Sequence, residues 1–191
     1  MVEAVAVEPV TADRLEDVAA LFGTNKTVAG CYCLWFLVPV KECHAGWGGA
    51  NRDRFEEMAT GADPPIGLLA YADGEPVGWC ALGPRTRYDR MLRAPTLRLR
   101  DPAEDADVWL VPCFYTRRDA RRSGVSHALL TGAVELAQAA GAVAVEGFPI
   151  AEGHRASAGD KYVGVEALFA SAGFRAVARP SAARVIMRRD L

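Results

Sequence analysis

The sequence predicts one domain of the α/β class, with a mixed sheet and helices packed against it. Two apolar segments on either side of Asp73 and Gly74 indicate a β-hairpin. The aromatic-rich run Val108–Thr116 indicates a central strand, and the apolar periodicity of 124–140 indicates a helix directly after it. A hairpin next to a strand–helix–strand unit favours a mixed sheet over a doubly wound parallel one.

The elements of the first half follow from periodicity and capping residues. Val5–Val10 is the first strand, Thr11 caps a first helix that ends near Gly23, and Asn51 caps a helix over 52–60. Residues 24–50 carry no readable pattern, apart from the observation that Cys31 and Cys33 would share a face if they lay on a strand.

The second half is punctuated by turn residues. The predicted elements are strands 66–72 and 76–82, a short helix around 88–92, the strand 108–116, a helix over 124–140 that Gly141 ends, a strand 142–148, a helix 161–172 closed by Gly173, and strands 174–178 and 184–188.

Length, composition and net charge limit the classes of protein to which this chain can belong. The chain has 191 residues, of which 51% are hydrophobic, and this predicts a single domain over 1–191 with one well-buried core. The net charge of −2 predicts neither a nucleic-acid nor a membrane partner. The acidic N-terminal segment lacks a signal-peptide pattern, and five unevenly spaced cysteines suit reduced thiols, so a cytoplasmic location is expected.

A basic turn joins the strand 108–116 to the helix that follows it. Four arginines, Arg117, Arg118, Arg121 and Arg122, lie just before the first helical turn. The first amides of a helix have no internal partners and the helix dipole adds positive charge there, so this arrangement suits a phosphate group. A solvated basic turn that merely caps the helix is the open alternative.

The element order, with RRSGVS at the turn into the helix, resembles the GNAT acyltransferase superfamily. The family's phosphate-loop pattern, Arg/Gln-x-x-Gly-x-Gly/Ala, is matched by Arg121 and Gly124, with Ser126 at the last position. The segment Leu168–Val177 is similar to the family's helix–Gly–Phe–strand ending.

The resemblance implies a mostly antiparallel sheet with a splayed strand pair and a site for acetyl-CoA between those strands. In this sequence the pyrophosphate would lie on the backbone amides of Arg122, Ser123, Gly124, Val125 and Ser126. The pantetheine arm would run along Phe114, Tyr115 and Thr116, and Phe169 would lie against the cofactor where many relatives carry a Tyr that protonates the leaving thiolate.

Two residues are candidates for catalysis. A backbone N–H at Phe114 or Tyr115 would stabilise the developing oxyanion. Glu146 interrupts an apolar strand beside the expected acyl site, which suits a general base. The alternatives for Glu146 are an edge-facing position on the strand and an ion pair with an arginine.

The aromatic segment after the first helix is the candidate acceptor pocket, and Tyr32 and Trp35 are the residues expected to line it. Core packing is the alternative for both. Cys31, Cys33, Cys43 and His44 depart from the usual zinc spacing, so no metal is expected. Cys113 is expected to be a buried apolar residue rather than a nucleophile.

The sequence thus predicts an N-acetyltransferase that moves an acetyl group from acetyl-CoA to a primary amine by direct attack in a ternary complex. A small-molecule acceptor is expected, with a peptide or protein amine and a homodimer left open. The alternative is a non-catalytic acyl-CoA-binding or sensor domain, which Phe169 favours because phenylalanine cannot donate a proton. The chain lacks the glycine-rich patterns of nucleotide-binding domains.

Overall fold

A single sheet forms the centre of the chain in the computed structural model, which describes residues 5–156 and 159–191. The sheet order is β1-β2-β3-β4-β5-β7-β6, and every neighbouring pair is antiparallel except β4 and β5. The strands are β1 Ala6–Pro9, β2 Gly67–Ala72, β3 Glu75–Pro84, β4 Val108–Thr116, β5 Ala144–Gly147, β6 Arg175–Ser181 and β7 Arg184–Asp190.

Helices cover both faces of the sheet. The α-helices are α1 Leu15–Gly23, α2 Lys26–Cys31, α3 Val40–Ala45, α4 Gly49–Thr60, α5 Asp89–Leu92, α6 Val125–Ala139 and α7 Glu166–Ser171. Because side chains alternate along a strand, β4 sends Phe114 to the core beneath α6 and Tyr115 to the core beneath α1 and α4. Within the described residues, every helix is too short or too polar to cross a bilayer.

A close approach of α6 to β3 fixes where the basic turn lies. A Cβ atom on Gly78 would come within 2.4 Å of the Val125 side chain and 3.0 Å of Leu129. Only a glycine on β3 therefore lets the first turn of α6 pack at this depth. The start of α6 is held beside the end of β4 as a result.

The parallel pairing of β4 with β5 is short. It covers three residue pairs, from Val108 opposite Ala144 to Leu110 opposite Glu146. Beyond that point β4 continues to Thr116 with β3 as its partner, while β5 ends at Gly147. The two strands thus form the splayed pair that the sequence resemblance implies.

The structure confirms the predicted mixed sheet, its central hairpin and the strand–helix unit that follows. The hairpin turns at Asp73 and Gly74 with φ values of 51° and 78°, as a two-residue turn with both central residues left-handed requires. The strand predicted over 108–116 has those bounds, and α6 begins at Val125 with Gly124 as its N-cap.

Two local predictions were wrong, and the condition considered for the two cysteines is not met. The helix over 161–172 is split, because Gly164 adopts a φ of 77° between a 3₁₀ turn at Gly159–Val163 and α7. Cys31 and Cys33 do not lie on a strand, since Tyr32 and Cys33 take left-handed conformations after α2. Asn51 is not a cap, because α4 begins at Gly49.

Asn51 instead holds the unassigned segment 24–50 in place. Its side chain is 2% exposed, and its amide nitrogen donates to the carbonyl oxygens of Gly30 and Cys43, each at 2.9 Å. One buried amide therefore joins α4 to the ends of α2 and α3. Cys31 ends α2 and Trp35 lies in the turn between α2 and α3, so these bonds help to place both residues at the site described below.

Replacing Asn51 with alanine should lower the free energy of unfolding by about 1–3 kcal/mol, because two buried carbonyl groups would lose their donor. Urea denaturation would measure the loss. Asp53→Ala, on the exposed face of the same helix, is the matched control and should change little. Equal stability of the two variants would contradict the role assigned to Asn51.

Candidate active site

The gap between β4 and β5 exposes one edge of the β4 backbone. The Arg117 amide donates to the Val77 carbonyl oxygen at 2.8 Å. The backbone N–H and C=O groups of every second residue before Arg117 on β4 therefore also face β3. By that alternation the amide of Tyr115 faces β3, and those of Phe114 and Thr116 face the gap. Of the two predicted oxyanion donors, Phe114 is therefore the one with the suitable direction.

A cavity of about 470 Å³ lies over this gap. Its walls come from β4, from the segment after β5, from α2 and the 3₁₀ turn after it, and from the region around α5. The described residues that line it include Cys31, Cys33, Trp35, Phe36, Trp47, Arg90, Met91, Cys113, Tyr115, Phe148, Asp160, Tyr162, Val163 and Arg184. Its size and largely apolar lining are typical of a small-molecule site.

The basic turn has the backbone shape that the phosphate hypothesis needs. Arg122 and Gly124 both adopt left-handed conformations, with φ values of 68° and 84°. A Cβ atom on Gly124 would meet nothing within 4 Å, so the backbone there is open to a ligand. Ser123 closes the turn with a 2.6 Å hydrogen bond from Oγ to the Ala120 carbonyl. The first amides of α6, from Val125 onward, point out of this turn.

The turn is tied to the open end of β4. The hydroxyls of Thr116 and Ser126 lie 3.1 Å apart, and Arg121 Nε donates to the Thr116 carbonyl oxygen at 3.4 Å. Arg117 is paired with Asp119 at 2.8 Å, whereas Arg118, Arg121 and Arg122 have no carboxylate within ion-pair distance in the part of the chain that the structure describes. The predicted loop residues therefore lie together at one end of the gap, with three uncompensated guanidinium groups.

Glu146 lies on β5, in a buried ion-pair network. Its side chain is 4% exposed, and its two oxygens accept hydrogen bonds from Arg85 Nη2 at 2.7 Å and Arg188 Nη1 at 3.1 Å. Glu146 is not among the described residues that line the cavity. With both oxygens engaged by guanidinium groups, the structure argues against the general-base role and favours the ion-pair alternative.

Phe169 packs beneath the gap rather than in it. It is fully buried, and its ring makes edge contacts with Phe114 at 5.9 Å and Phe174 at 5.1 Å between centroids. It therefore supports Phe114 from the α6 face of the sheet. Its predicted direct contact with the cofactor would need the cofactor to reach a side chain that has no exposed surface here.

Of the two aromatic residues predicted to line the pocket, one lines the cavity and the other lies in the core. Trp35 lines the cavity, with its ring under the guanidinium carbon of Arg90 at 4.7 Å. Tyr32 is 6% exposed and packs against Phe22 and Phe55, so it belongs to the core, and this part of the prediction was wrong. The left-handed φ of Tyr32, which sequence alone does not reveal, turns the chain and sends neighbouring side chains in different directions.

Sequence reasoning missed Tyr162 as a functional residue. It lines the cavity, and burial raises the pKa of its hydroxyl. A hydrogen bond with Thr27 offsets part of this rise, and nearby Cys113 and Tyr115 add to it. Tyr115 also lines the cavity, where its hydroxyl lies 2.6 Å from Thr24 Oγ1. The signal for Tyr162 was its place seven residues before Phe169, but the turn at Gly164 that presents it could not be anticipated.

The cysteines do not form a metal site. Within residues 5–156 and 159–191, no three His, Cys, Asp or Glu side chains are arranged to hold an ion. Cys33 Sγ instead accepts from Trp79 Nε1 at 2.9 Å and lies 3.4 Å from Cys113 Sγ. Burial raises the pKa of the Cys33 thiol well above its usual range, as expected for a protonated group in an apolar setting.

A family model described as the acetyltransferase (GNAT) family matches residues 34–156 of the chain, which is more than half of it. The chain belongs to this family. The match spans β2 to β5, and so includes the splayed strands and the basic turn. No curated protein sequence matches the chain.

Solved GNAT structures share the fold over nearly the whole chain. PaiA N-acetyltransferase from Thermoplasma acidophilum, solved with coenzyme A, has a TM-score of 0.57 at 11% identity, covering 98% of this chain and 99% of its own. YncA from Salmonella typhimurium, a putative acetyltransferase solved with acetyl-CoA, has a TM-score of 0.58 at 12% identity and covers 98% and 94%. Ribosomal-protein-alanine N-acetyltransferase from Brucella melitensis has a TM-score of 0.54 at 20% identity and covers 97% and 99%.

Removing the Glu146 carboxylate should destabilise the fold strongly. Glu146→Ala leaves Arg85, which is 1% exposed, without its closest partner, and should lower the free energy of unfolding by about 3–5 kcal/mol. Guanidinium chloride denaturation would measure this, with Glu135→Ala on the exposed face of α6 as the control. A Glu146→Gln protein of normal stability that loses a limb of its pH–rate profile would instead restore Glu146 as the base.

Proposed function

We propose that this GNAT protein is an N-acetyltransferase that moves the acetyl group of acetyl-CoA to a primary amine by direct attack in a ternary complex. The acceptor is a small molecule, with a peptide or protein amine as the broader class. The observation that carries the proposal is the cavity over the β4–β5 gap, which has an open backbone edge on one wall and a phosphate-type loop at its end.

The described residues fit the cofactor. A phosphate at the turn would meet the outward amides of Ser123, Gly124, Val125 and Ser126, and Gly124 leaves the open space that such an approach needs. An amide-bearing chain along the gap would find the unpaired backbone edge at Phe114 and Thr116. Arg118, Arg121 and Arg122 add positive charge at the phosphate end.

When bound, acetyl-CoA would supply an acyl carbon attached to a thiolate leaving group. The acceptor nitrogen would bond to that carbon as the carbon–sulfur bond breaks. The nitrogen would lose a proton and the sulfur would gain one. The Phe114 amide, directed into the gap, donates to the carbonyl oxygen as negative charge develops there. Phe169 and the core behind it hold Phe114 in that position.

Tyr162 is the residue we assign to protonate the departing sulfur. Its side chain lines the same cavity as Cys113 and Tyr115, and a tyrosine hydroxyl, with an ordinary pKa of about 10, carries its proton near neutral pH. It would replace the hydroxyl that Phe169 lacks. With this donor in the cavity, the phenylalanine at 169 no longer argues for a non-catalytic domain.

A carboxylate in the same cavity could accept the proton that the acceptor nitrogen loses. Asp160 lines it and accepts a 2.5 Å hydrogen bond from Arg184. A direct or water-mediated transfer to Asp160 would clear the proton from the acyl site. Positioning of the amine against the thioester supplies most of the rate in a ternary complex of this kind.

A release assay for the CoA thiol, run over aminoglycosides, polyamines, amino acids and peptides, tests catalysis and acceptor class together. Saturable thiol release that depends on one of these amines is the expected result. A chain that binds CoA in calorimetry yet releases no thiol with any acceptor would support the non-catalytic alternative.

Gly124→Glu should abolish CoA binding, because a carboxylate would occupy the open space beside the loop amides and repel phosphate. Isothermal titration calorimetry would show the loss. Gly141→Glu is the matched control, since Gly141 ends the same helix with a similar φ of 80° and equal open space. If both variants bind CoA as the wild type does, the loop is not the phosphate site.

Tyr162→Phe should lower kcat for thiol release by about 10²-fold or more, with little change in CoA affinity, because only the proton donor is removed. Tyr71→Phe removes a hydroxyl on β2 that bonds to Asp17 outside the cavity, and is the control. An unchanged kcat in the Tyr162 variant would leave protonation of the sulfur to water.

A further inference from the structure

The acceptor cavity contains a cation without a matching acid. Arg90 lines it from α5 and is partly buried, and none of the Asp or Glu side chains in residues 5–156 and 159–191 forms an ion pair with its guanidinium group. The neighbouring acid Asp89 is already paired with Arg93 on the same helix. An arginine in a cavity wall without a carboxylate is a ready partner for an anionic ligand group.

The setting of Arg90 fixes its direction. Nη1 donates to the Trp35 carbonyl oxygen, and the guanidinium plane lies over the Trp35 ring at 4.7 Å from its centroid. This contact uses one donor and one face of the group, and the other nitrogens keep free donors. Trp35 therefore aligns Arg90 and places an apolar ring next to it.

The charge of the cavity favours the same class of ligand. Its described charged groups are Arg90, Arg184 and Asp160, two cations and one anion, which gives a net charge of +1. Burial raises the pKa of the Cys31 and Cys33 thiols, so they stay uncharged and do not offset this excess. A polycationic acceptor would be repelled, whereas an anionic group would be attracted and the attacking amine would be favoured in its neutral form.

The remaining lining suits an apolar body. The same cavity wall has an aromatic and aliphatic surface, supplied by Trp35, Phe36, Met91, Phe148 and Val163. A ligand that fills this space would have an amine at the β4–β5 gap, a hydrophobic side chain in the middle of the cavity and a carboxylate at Arg90.

We propose that Arg90 binds the carboxylate of the acceptor, and that the acceptor is an amino acid or close analogue with an apolar or aromatic side chain. This inference rests on the proposed acetyltransferase function. It narrows the small primary amine to an amino carboxylate, and it makes Arg90 a specificity residue that contacts the substrate.

Pairs of acceptors that differ only in the carboxylate test the inference. Thiol release from acetyl-CoA would be measured with L-phenylalanine against 2-phenylethylamine, and with L-tryptophan against tryptamine, with spermidine as a polycation. The amino acids are expected to have a kcat/KM at least about tenfold above that of the matched amines, as a charged hydrogen bond would give.

Arg90→Gln should remove that preference. The expected result is a KM for the amino acids that rises about ten- to hundredfold with kcat nearly unchanged, while the values for the matched amines stay close to wild type. Arg90→Lys should restore part of the preference, because it keeps the charge. Arg93→Gln, on the same helix and largely exposed, is the control and should behave as wild type.

Four outcomes would overturn the inference. An equal loss of kcat/KM for amino acids and matched amines in Arg90→Gln, or a lower unfolding midpoint of that variant, would mean that Arg90 only holds Trp35 in place. Turnover of spermidine or the matched amines in preference to the amino acids would reject the carboxylate while leaving the acetyltransferase proposal intact. Failure of the CoA-loaded protein to bind L-phenylalanine or L-tryptophan in calorimetry would also reject it, whereas failure to bind CoA itself would remove the proposed function.

Discussion

The early end of the β4–β5 pairing is the constraint on which the rest of the site depends. Two parallel strands that share only three residue pairs must diverge, and the diverging edge leaves backbone groups of β4 without a strand partner. That edge supplies the Phe114 amide, opens the cavity beside Cys113 and Tyr115, and ends at the basic turn before α6. The proposed cofactor loop, oxyanion donor and acceptor cavity thus all depend on one interruption in the sheet.

The divergence is held from both sides of the sheet. Beneath β4, the rings of Phe114, Phe169 and Phe174 pack edge to face. Beyond β5, Glu146 joins Arg85 and Arg188, and Arg85 also bonds to the Asp101 carbonyl oxygen. The second network anchors both ends of the segment that carries α5, and with it Arg90, to the central sheet. Glu146 therefore acts on the cavity through the position of its wall.

In the proposed mechanism the proton donor differs from that of many relatives. A phenylalanine stands where many relatives have a tyrosine, and it is buried as core. The hydroxyl to which we assign this role is that of Tyr162, presented by a 3₁₀ turn that Gly164 separates from α7. A chain can keep the same geometry of cofactor and acceptor while taking its proton donor from the preceding turn, because the thiolate needs a hydroxyl in reach rather than a particular residue.

The sequence by itself determined the elements whose signals are local: the Asp73-Gly74 hairpin, the β4 strand, and the basic turn with Gly124 before α6. Each depends on side-chain period or on glycine's backbone freedom, and both are readable along the chain. Only the tertiary structure decided which residues meet. Glu146 and Tyr32 looked like site residues from their neighbours in sequence. In the structure, Glu146 forms ion pairs with two guanidinium groups, and Tyr32 packs in the core. Tyr162 reaches the cavity beside the positive-φ turn at Gly164, and Arg90 through its contact with Trp35, which is distant in sequence. Neither feature produces a periodic pattern in the sequence.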